Sequence, residues 1–159
     1  MPLPREESAG YLVNHAARQF AVLLAERLKP LGLAPAQNAV LLVLWQEDGL
    51  SQRELVDALN IRQATAAKTL ERMERDGLIA REPHPNDARI KLIRLTDKAR
   101  ALEEEVTGIA RSVNQEALAT LSEHERGLFL EMLKKIIEQQ RTLTGGAALE
   151  EEIGADGNP

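Results

Sequence analysis

The stretch Arg62–Arg72, RQATAAKTLER, gathers side chains suited to addressing a nucleic-acid duplex. Gln63, Thr65 and Lys68 can hydrogen-bond base edges, and Ala66 can meet a thymine methyl. Arg62, Lys68 and Arg72 can also hold phosphates, and Thr69 completes the polar set. The small run Ala64–Ala67 lets a helix backbone come close to its target. The major groove admits a helix and displays there a full donor and acceptor pattern. The alternative is an ordinary amphipathic helix with a basic outer face. A second stretch, PHPNDARIKLIRLT at Pro83–Thr96, puts His84, Asn86 and Asp87 in a turn and follows them with Arg89 and Lys91. A narrow minor groove concentrates negative potential and attracts arginine. Asp87 can pair with Arg89 and fix its rotamer. Alternatively, Asp87 only caps the turn and Arg89 is a solvated charge.

These residues need a scaffold, and the pattern of apolar residues supplies one. Leu12, Ala16, Phe20, Leu23, Leu24 and Leu28 predict a long first helix that Pro30 and Gly32 stop. Pro35 suits the first turn of a second helix, apolar all round at Val40–Leu44, with Gly49 past its end. Ser51 and Glu54 form an S-x-x-E capping box for a short third helix ending near Leu59. Asn60 is placed to cap the fourth, which carries the polar stretch and ends at Gly77. The period then changes from helical to alternating. Residues 78–82 and 90–95 predict two strands of a hairpin, joined through Pro83, Pro85, Asn86 and Asp87. Thr96 caps a fifth helix running from about Asp97 to about Leu118. Ser122 and Glu125 open a sixth, to about Leu143. A Gly-rich, acidic stretch, 144–159, reads as a flexible tail. The fold class expected is mainly α with a small β-hairpin wing. Residues 35–96 form a winged helix-turn-helix lobe, flanked by helical regions at 1–34 and 97–143.

Charge agrees with this division. The chain carries −5 overall, yet residues 51–100 hold 11 basic against 8 acidic groups and residues 101–159 hold 5 against 12. Only the middle third is positive, which points to a polyanion partner for that part. With no Cys among 159 residues, disulfides, thiolate metal sites and a Cys nucleophile are excluded. His15, His84 and His124 lie in different elements without metal-ligand spacing, so no metal or cofactor is expected. No phosphate loop, nucleophile elbow or dinucleotide fingerprint is visible, so no enzyme is expected. No apolar run is long enough for a membrane span, and the start MPLPREESAG lacks the pattern of a secretory signal, so a cytoplasmic protein is expected.

The run Gly77–Arg100, GLIAREPHPNDARIKLIRLTDKAR, resembles the signature of the MarR family (multiple antibiotic resistance regulators). The matching positions are Gly77, Arg81, Asp87, Arg89, Leu95 and Thr96. Ala99 stands where the family usually has Gly. The upstream LSQRELVDALNIRQATAAKTLERME is similar to the family's helix-turn-helix, and the resemblance covers about residues 10–142. It implies a homodimeric transcriptional regulator, usually a repressor, whose terminal helices interlock between subunits. A small ligand or oxidation loosens DNA binding in such proteins; without Cys, thiol oxidation is not available here. Asp87 and Arg89 would be the wing pair and Arg62–Arg72 the recognition helix. Ser51, Gln52 and Arg53 would touch phosphates. The double-stranded operator would be a pseudo-palindrome with half-sites roughly 10 bp apart.

A small aromatic or anionic effector would meet His15, Arg18, Gln19 and Trp45. For His15 and Trp45 plain packing is the simpler reading, and for Arg18 and Gln19 a solvated helix face. Two other functions stay open at this point: a winged-helix module that binds protein, and an architectural DNA binder without sequence preference.

Overall fold

The computed structural model describes residues 4–144. The tail expected at 144–159 lies, from residue 145 on, outside the described residues. Seven α-helices and three strands are formed among them. They are α1 (Ala9–Leu28), α2 (Pro35–Gln46), β1 (Leu50–Ser51), α3 (Gln52–Leu59), α4 (Gln63–Arg75), β2 (Ile79–His84), β3 (Asp87–Leu95), α5 (Asp97–Ala101), α6 (Glu103–Ala117) and α7 (Glu123–Leu143). The strands form one antiparallel sheet in the order β1-β3-β2, the mainly helical, winged arrangement expected.

The caps read from sequence operate as hydrogen bonds. Ser51 Oγ accepts from Glu54 N, and Glu54 Oε2 accepts from Ser51 N at 2.7 Å; Ser122 and Glu125 repeat the exchange at α7. The α4 helix ends as Gly77 enters the left-handed region at φ 71°. Its N–H and that of Leu78 then close on the carbonyls of Glu74 and Met73, which satisfies two otherwise orphaned acceptors. Thr96 accepts from Ala99 N to start α5, and its own hydroxyl donates to the Gly77 carbonyl at 2.7 Å. One side chain thus joins the end of α4 to the start of α5.

The core lies between α2, α3, α4 and the sheet. Leu41, Leu44, Leu55, Leu70, Met73 and Ile93 are fully enclosed, with Leu28 of α1 and Val106 of α6 sealing one side. Asp48 fastens the turn after α2. Its carboxylate accepts from Gly49 N and Leu95 N, both at 2.9 Å, and from the Arg100 guanidinium. That ties the α2 end, the end of β3 and α5 to one point.

Three expectations need correction. The helix expected from about Asp97 to about Leu118 is broken at Leu102, whose N–H turns back to the Ala99 carbonyl. The Trp45 indole N–H donates to that same carbonyl at 3.2 Å, and a side chain inserted into a helix ladder is a recognised cause of a break. Asn60 does not cap α4. It sits at φ 51° as the left-handed end of α3, a conformation Asn tolerates, and Arg62 occupies the start of α4 with no side-chain cap. The hairpin also gains a third strand, because Leu50 and Ser51 pair with Ile93 and Leu92.

The two terminal helices differ from the rest. Among the described residues, eleven of the thirteen exposed large hydrophobic side chains sit on α1 and α7, among them Leu12, Val22, Leu130 and Met132. The α7 helix is 21 residues long and fully buries none of them. An apolar cavity of about 450 Å³ opens between α1, α6 and α7, lined by Leu12, Ala16, Phe20, Leu118, Phe129 and Leu133 among others. Across the α1–α6 contact, Arg27 grips Glu116 with two hydrogen bonds of 3.1 and 2.7 Å.

Candidate nucleic-acid interface

The α4 helix is laid down so that Ala66, Leu70 and Met73 face the core. That phase fixes which side chains face out: Gln63, Thr65, Lys68 and Arg72 are exposed, and Thr69 is half-exposed with its hydroxyl donating to the Thr65 carbonyl at 3.0 Å. Ala66 is only 1% exposed. It packs inside the lobe, so the thymine-methyl contact expected of it is withdrawn; its step of four residues to Leu70 puts it on the buried stripe. Arg62 begins the helix. Arg72 approaches Asp76 at 3.8 Å one turn on, and Arg75 approaches the same carboxylate at 3.7 Å.

The start of α3 lies beside the start of α4. Gln52 Nε2 donates to Gln63 Oε1 at 3.3 Å, while Gln52 Oε1 accepts from Arg81 Nη1 at 3.3 Å. Arg81 Nε in turn donates to Glu74 Oε2 at 3.1 Å. The β2 strand therefore braces both ends of α4, and Arg81 is the structural residue that the sequence reading matched to a motif but did not place in the site. Its signal was an Arg on a strand seven residues after an acidic helix position. Arg53 is exposed at the second position of α3, and Ser51 is half-buried with its hydroxyl donating to Glu54.

The wing is the hairpin of β2 and β3, closed by a two-residue turn at Pro85 and Asn86, with an irregularity in the pairing at Pro83/His84. His84 Nδ1 accepts from Asn86 N at 3.1 Å and so shapes the turn. Asp87 takes three hydrogen bonds from Arg89: from its backbone N–H, from Nε and from Nη2, each at 3.0 Å. The Arg89 side chain is nevertheless 90% exposed, against 32% for Asp87. The carboxylate is thus tucked against the hairpin while the guanidinium stands out from it, held in one pose. This pairing lowers the pKa of Asp87 from its ordinary value and raises that of Arg89. Lys91 is exposed further along the same strand.

Of the four expected effector contacts, His15, Arg18 and Gln19 lie within one turn of α1, and Trp45 lies on α2. His15 stacks on Tyr11 with ring centroids 6.1 Å apart, and Arg18 and Gln19 are exposed on α1. Trp45 packs against the core and α5. None of the four lines the cavity between α1, α6 and α7. Among the described residues no cluster of His, Asp or Glu is placed to hold a metal ion, and no helix is long and apolar enough to cross a membrane.

Bonded carboxylates give the fold an acid sensitivity. Backbone and hydroxyl donors of Ser51 and Ser122 hold Glu54 and Glu125 below the ordinary value of 4.5. Arg27, and then Ser112, do the same for Glu116. A carboxylate whose folded pKa is depressed stabilises the fold fully above its unfolded value, and that contribution is lost as the pH falls through the folded one. Melting temperature should therefore fall as the pH drops below 4.5, from these groups together. A Ser51→Ala, Ser122→Ala protein should melt lower at neutral pH and lose less on acidification. Parallel melting curves for the two proteins would contradict this account.

A family model described as MarR family matches residues 33–91, which span α2 to the middle of β3. The fold is similar to that of a probable transcriptional regulator from Pseudomonas aeruginosa. That protein is 30% identical, with a TM-score of 0.78, over 84% of this chain and 99% of that one. BpsR from Bordetella bronchiseptica, solved to explain regulation of its DNA binding by 6-hydroxynicotinic acid, is 29% identical. It has a TM-score of 0.79 over 86% of this chain and 97% of its own. A mutant MarR from E. coli complexed with operator DNA is 28% identical, with a TM-score of 0.75 over 80% and 91%. The family model falls on the helix-turn-helix and wing, and the likeness to the Pseudomonas regulator runs through the terminal helices as well: the chain belongs to the MarR family.

Proposed function

We propose that this protein is a homodimeric, sequence-specific DNA-binding transcriptional regulator, acting as a repressor that a small ligand releases. The observation that carries the reading is the wing: an almost fully exposed Arg89, aimed by Asp87, in a lobe whose α4 also shows a polar outer face. In this reading α4 lies in the major groove and presents Gln63, Thr65 and Lys68 to base edges. Arg62, Arg72, Arg53 and Lys91 meet phosphates, and the wing tip with His84, Asn86 and Arg89 reaches the adjacent minor groove. Residues 35–96 form the DNA-binding lobe. The flanking regions 1–34 and 97–143 pair two subunits through the apolar faces of α1 and α7. The positive middle third then faces DNA while the acidic C-terminal third faces away.

Two likenesses support the finer points. The E. coli MarR mutant was solved on operator DNA, and BpsR has its DNA binding regulated by 6-hydroxynicotinic acid, a small aromatic acid. An effector of aromatic or anionic character is proposed here on the same footing, and the cytoplasm as the place of action.

The test is selection of bound duplexes from a random pool by the purified protein at two salt concentrations. A pseudo-palindrome with half-sites roughly 10 bp apart is expected. Affinity for it should fall steeply as salt rises, because phosphate contacts release counterions. A pool that shows no enrichment at either salt would remove the DNA reading.

A further inference from the structure

We infer that Arg81, acting through Gln52, fixes the side-chain amide of Gln63 so that its NH₂ group faces the groove, which makes Gln63 a reader of acceptor-only base edges. The inference rests on the reading that α4 enters the major groove. It follows from donor and acceptor chemistry along one short chain of contacts.

A guanidinium has donors and no acceptor. Arg81 places Nε on Glu74 at 3.1 Å and Nη1 on the Gln52 side chain at 3.3 Å. Gln52 must therefore turn its oxygen to Arg81, which sends its NH₂ the other way. That NH₂ lies 3.3 Å from the amide of Gln63, and an NH₂ only donates. Gln63 must answer with its oxygen. Its own NH₂ is then the group left on the exposed first turn of α4. The orientation of the last amide is set by a strand residue two side chains away, and Arg81 is a positioning residue that touches no base.

The consequence is specificity. Gln commonly reads adenine with both ends of its amide, accepting from N6 and donating to N7. A Gln63 whose oxygen is turned inward cannot make that pair. It selects an edge offering acceptors alone, guanine with N7 and O6 or thymine with O4.

The test compares base preference in duplexes selected from a random pool at one fixed salt concentration. Gln63→Ala marks the position read, as the one whose preference disappears. In Gln52→Glu, one carboxylate oxygen keeps Arg81 and the other presents an acceptor to Gln63. Gln63 must then rotate and show its oxygen to the groove. The preferred base at the marked position should move from guanine or thymine to adenine or cytosine, with the ratio changing by about ten-fold or more. The added carboxylate sits in the first turn of α3, where the helix dipole favours it, so the fold is expected to persist. Arg81→Met is the second variant. It frees Gln52 to take either orientation, and both classes of base should be accepted.

An unchanged preference in Gln52→Glu, with affinity lowered equally on all sequences, would make Gln52 a phosphate neighbour and overturn the inference. Adenine as the preferred base of the unaltered protein would overturn it as well. If the unaltered protein enriches no sequence at all, the DNA reading fails first and this inference falls with it, a result distinguishable from the other two.

Discussion

Leu130→Glu combined with Ile137→Glu is expected to give a folded monomer that has lost most of its operator affinity. Both side chains are about half exposed on α7 in the isolated chain, so placing carboxylates there buries no charge within one subunit. They lie seven residues apart, with Leu133 between them, and so share one face of the helix. A 21-residue helix is about 30 Å long. That face is rich in Leu, Met and Ile, and Leu12, Val13 and Val22 of α1 are exposed as well; clustered exposed apolar side chains mark an interaction site. A second copy covers it in the proposed dimer, where two facing carboxylate pairs would be desolvated without partners. Two linked lobes on two half-sites gain about 10²–10⁴ in avidity over one lobe, and that factor is what the variant should lose. Sedimentation gives the mass and operator titration the affinity. Lys135→Glu with Thr142→Glu, seven residues apart on exposed polar positions of another face of the same helix, is the comparison and should stay dimeric. A variant that still sediments as a dimer would place the interface elsewhere. A monomer with undiminished operator affinity would show that one lobe suffices.

The same surface shows what could be read from the sequence. The apolar positions of α1 and α7 were visible by spacing, and the terminal helices appear where that spacing put them. Caps were legible because they are local: Ser51 with Glu54, Ser122 with Glu125, Thr96, and Gly77 at a helix end all use partners within a few residues. What escaped depends on distant partners. The break at Leu102 follows from Trp45, fifty-four residues before Ala99, donating to its carbonyl. The two-residue β1 exists because β3 offers it an edge, and two residues carry no period. Gln37 drew no expectation from the sequence, yet it is fully enclosed, its side chain accepting from Ala34 N at 2.9 Å and donating to Asp76 at 3.1 Å.

Ala66 is the instructive case in the interface. Its type suits a thymine methyl, but helical phase and not residue type decides what meets the groove. The step from Ala66 to Leu70 and Met73 turns it inward. The phase was already present in the sequence, and reading the run of small residues as one surface ignored it. Arg81 shows the converse. Its place on a strand was visible, while the contacts that join it to Glu74 and Gln52 needed the fold.

Arg89→Ala should weaken operator binding by about 1–3 kcal/mol, the range expected for an arginine that reads a groove. The side chain is 90% exposed, and its known contacts run to Asp87 alone, so its removal leaves the fold intact. The loss then belongs to the complex. Asp87 has two opposing effects: it holds the guanidinium in one pose, and it brings a negative charge near the phosphates. An exposed ion pair adds little, and the repulsion is screened over about 10 Å at moderate salt. Asp87→Asn is therefore expected to change affinity far less than Arg89→Ala does. Arg89→Lys separates two ways of binding. If the wing reads a narrow minor groove, the compact, strongly hydrated ammonium restores little of the preference for A·T-rich flanks. If Arg89 only neutralises a phosphate, lysine restores most of the affinity, and the flank preference never depended on this residue. Titrations of the three variants on operators with A·T-rich and G·C-rich flanks, at fixed salt, distinguish these. Equal affinity of Arg89→Ala and the unaltered protein on both operators would take the wing out of the interface, leaving α4 to carry recognition alone.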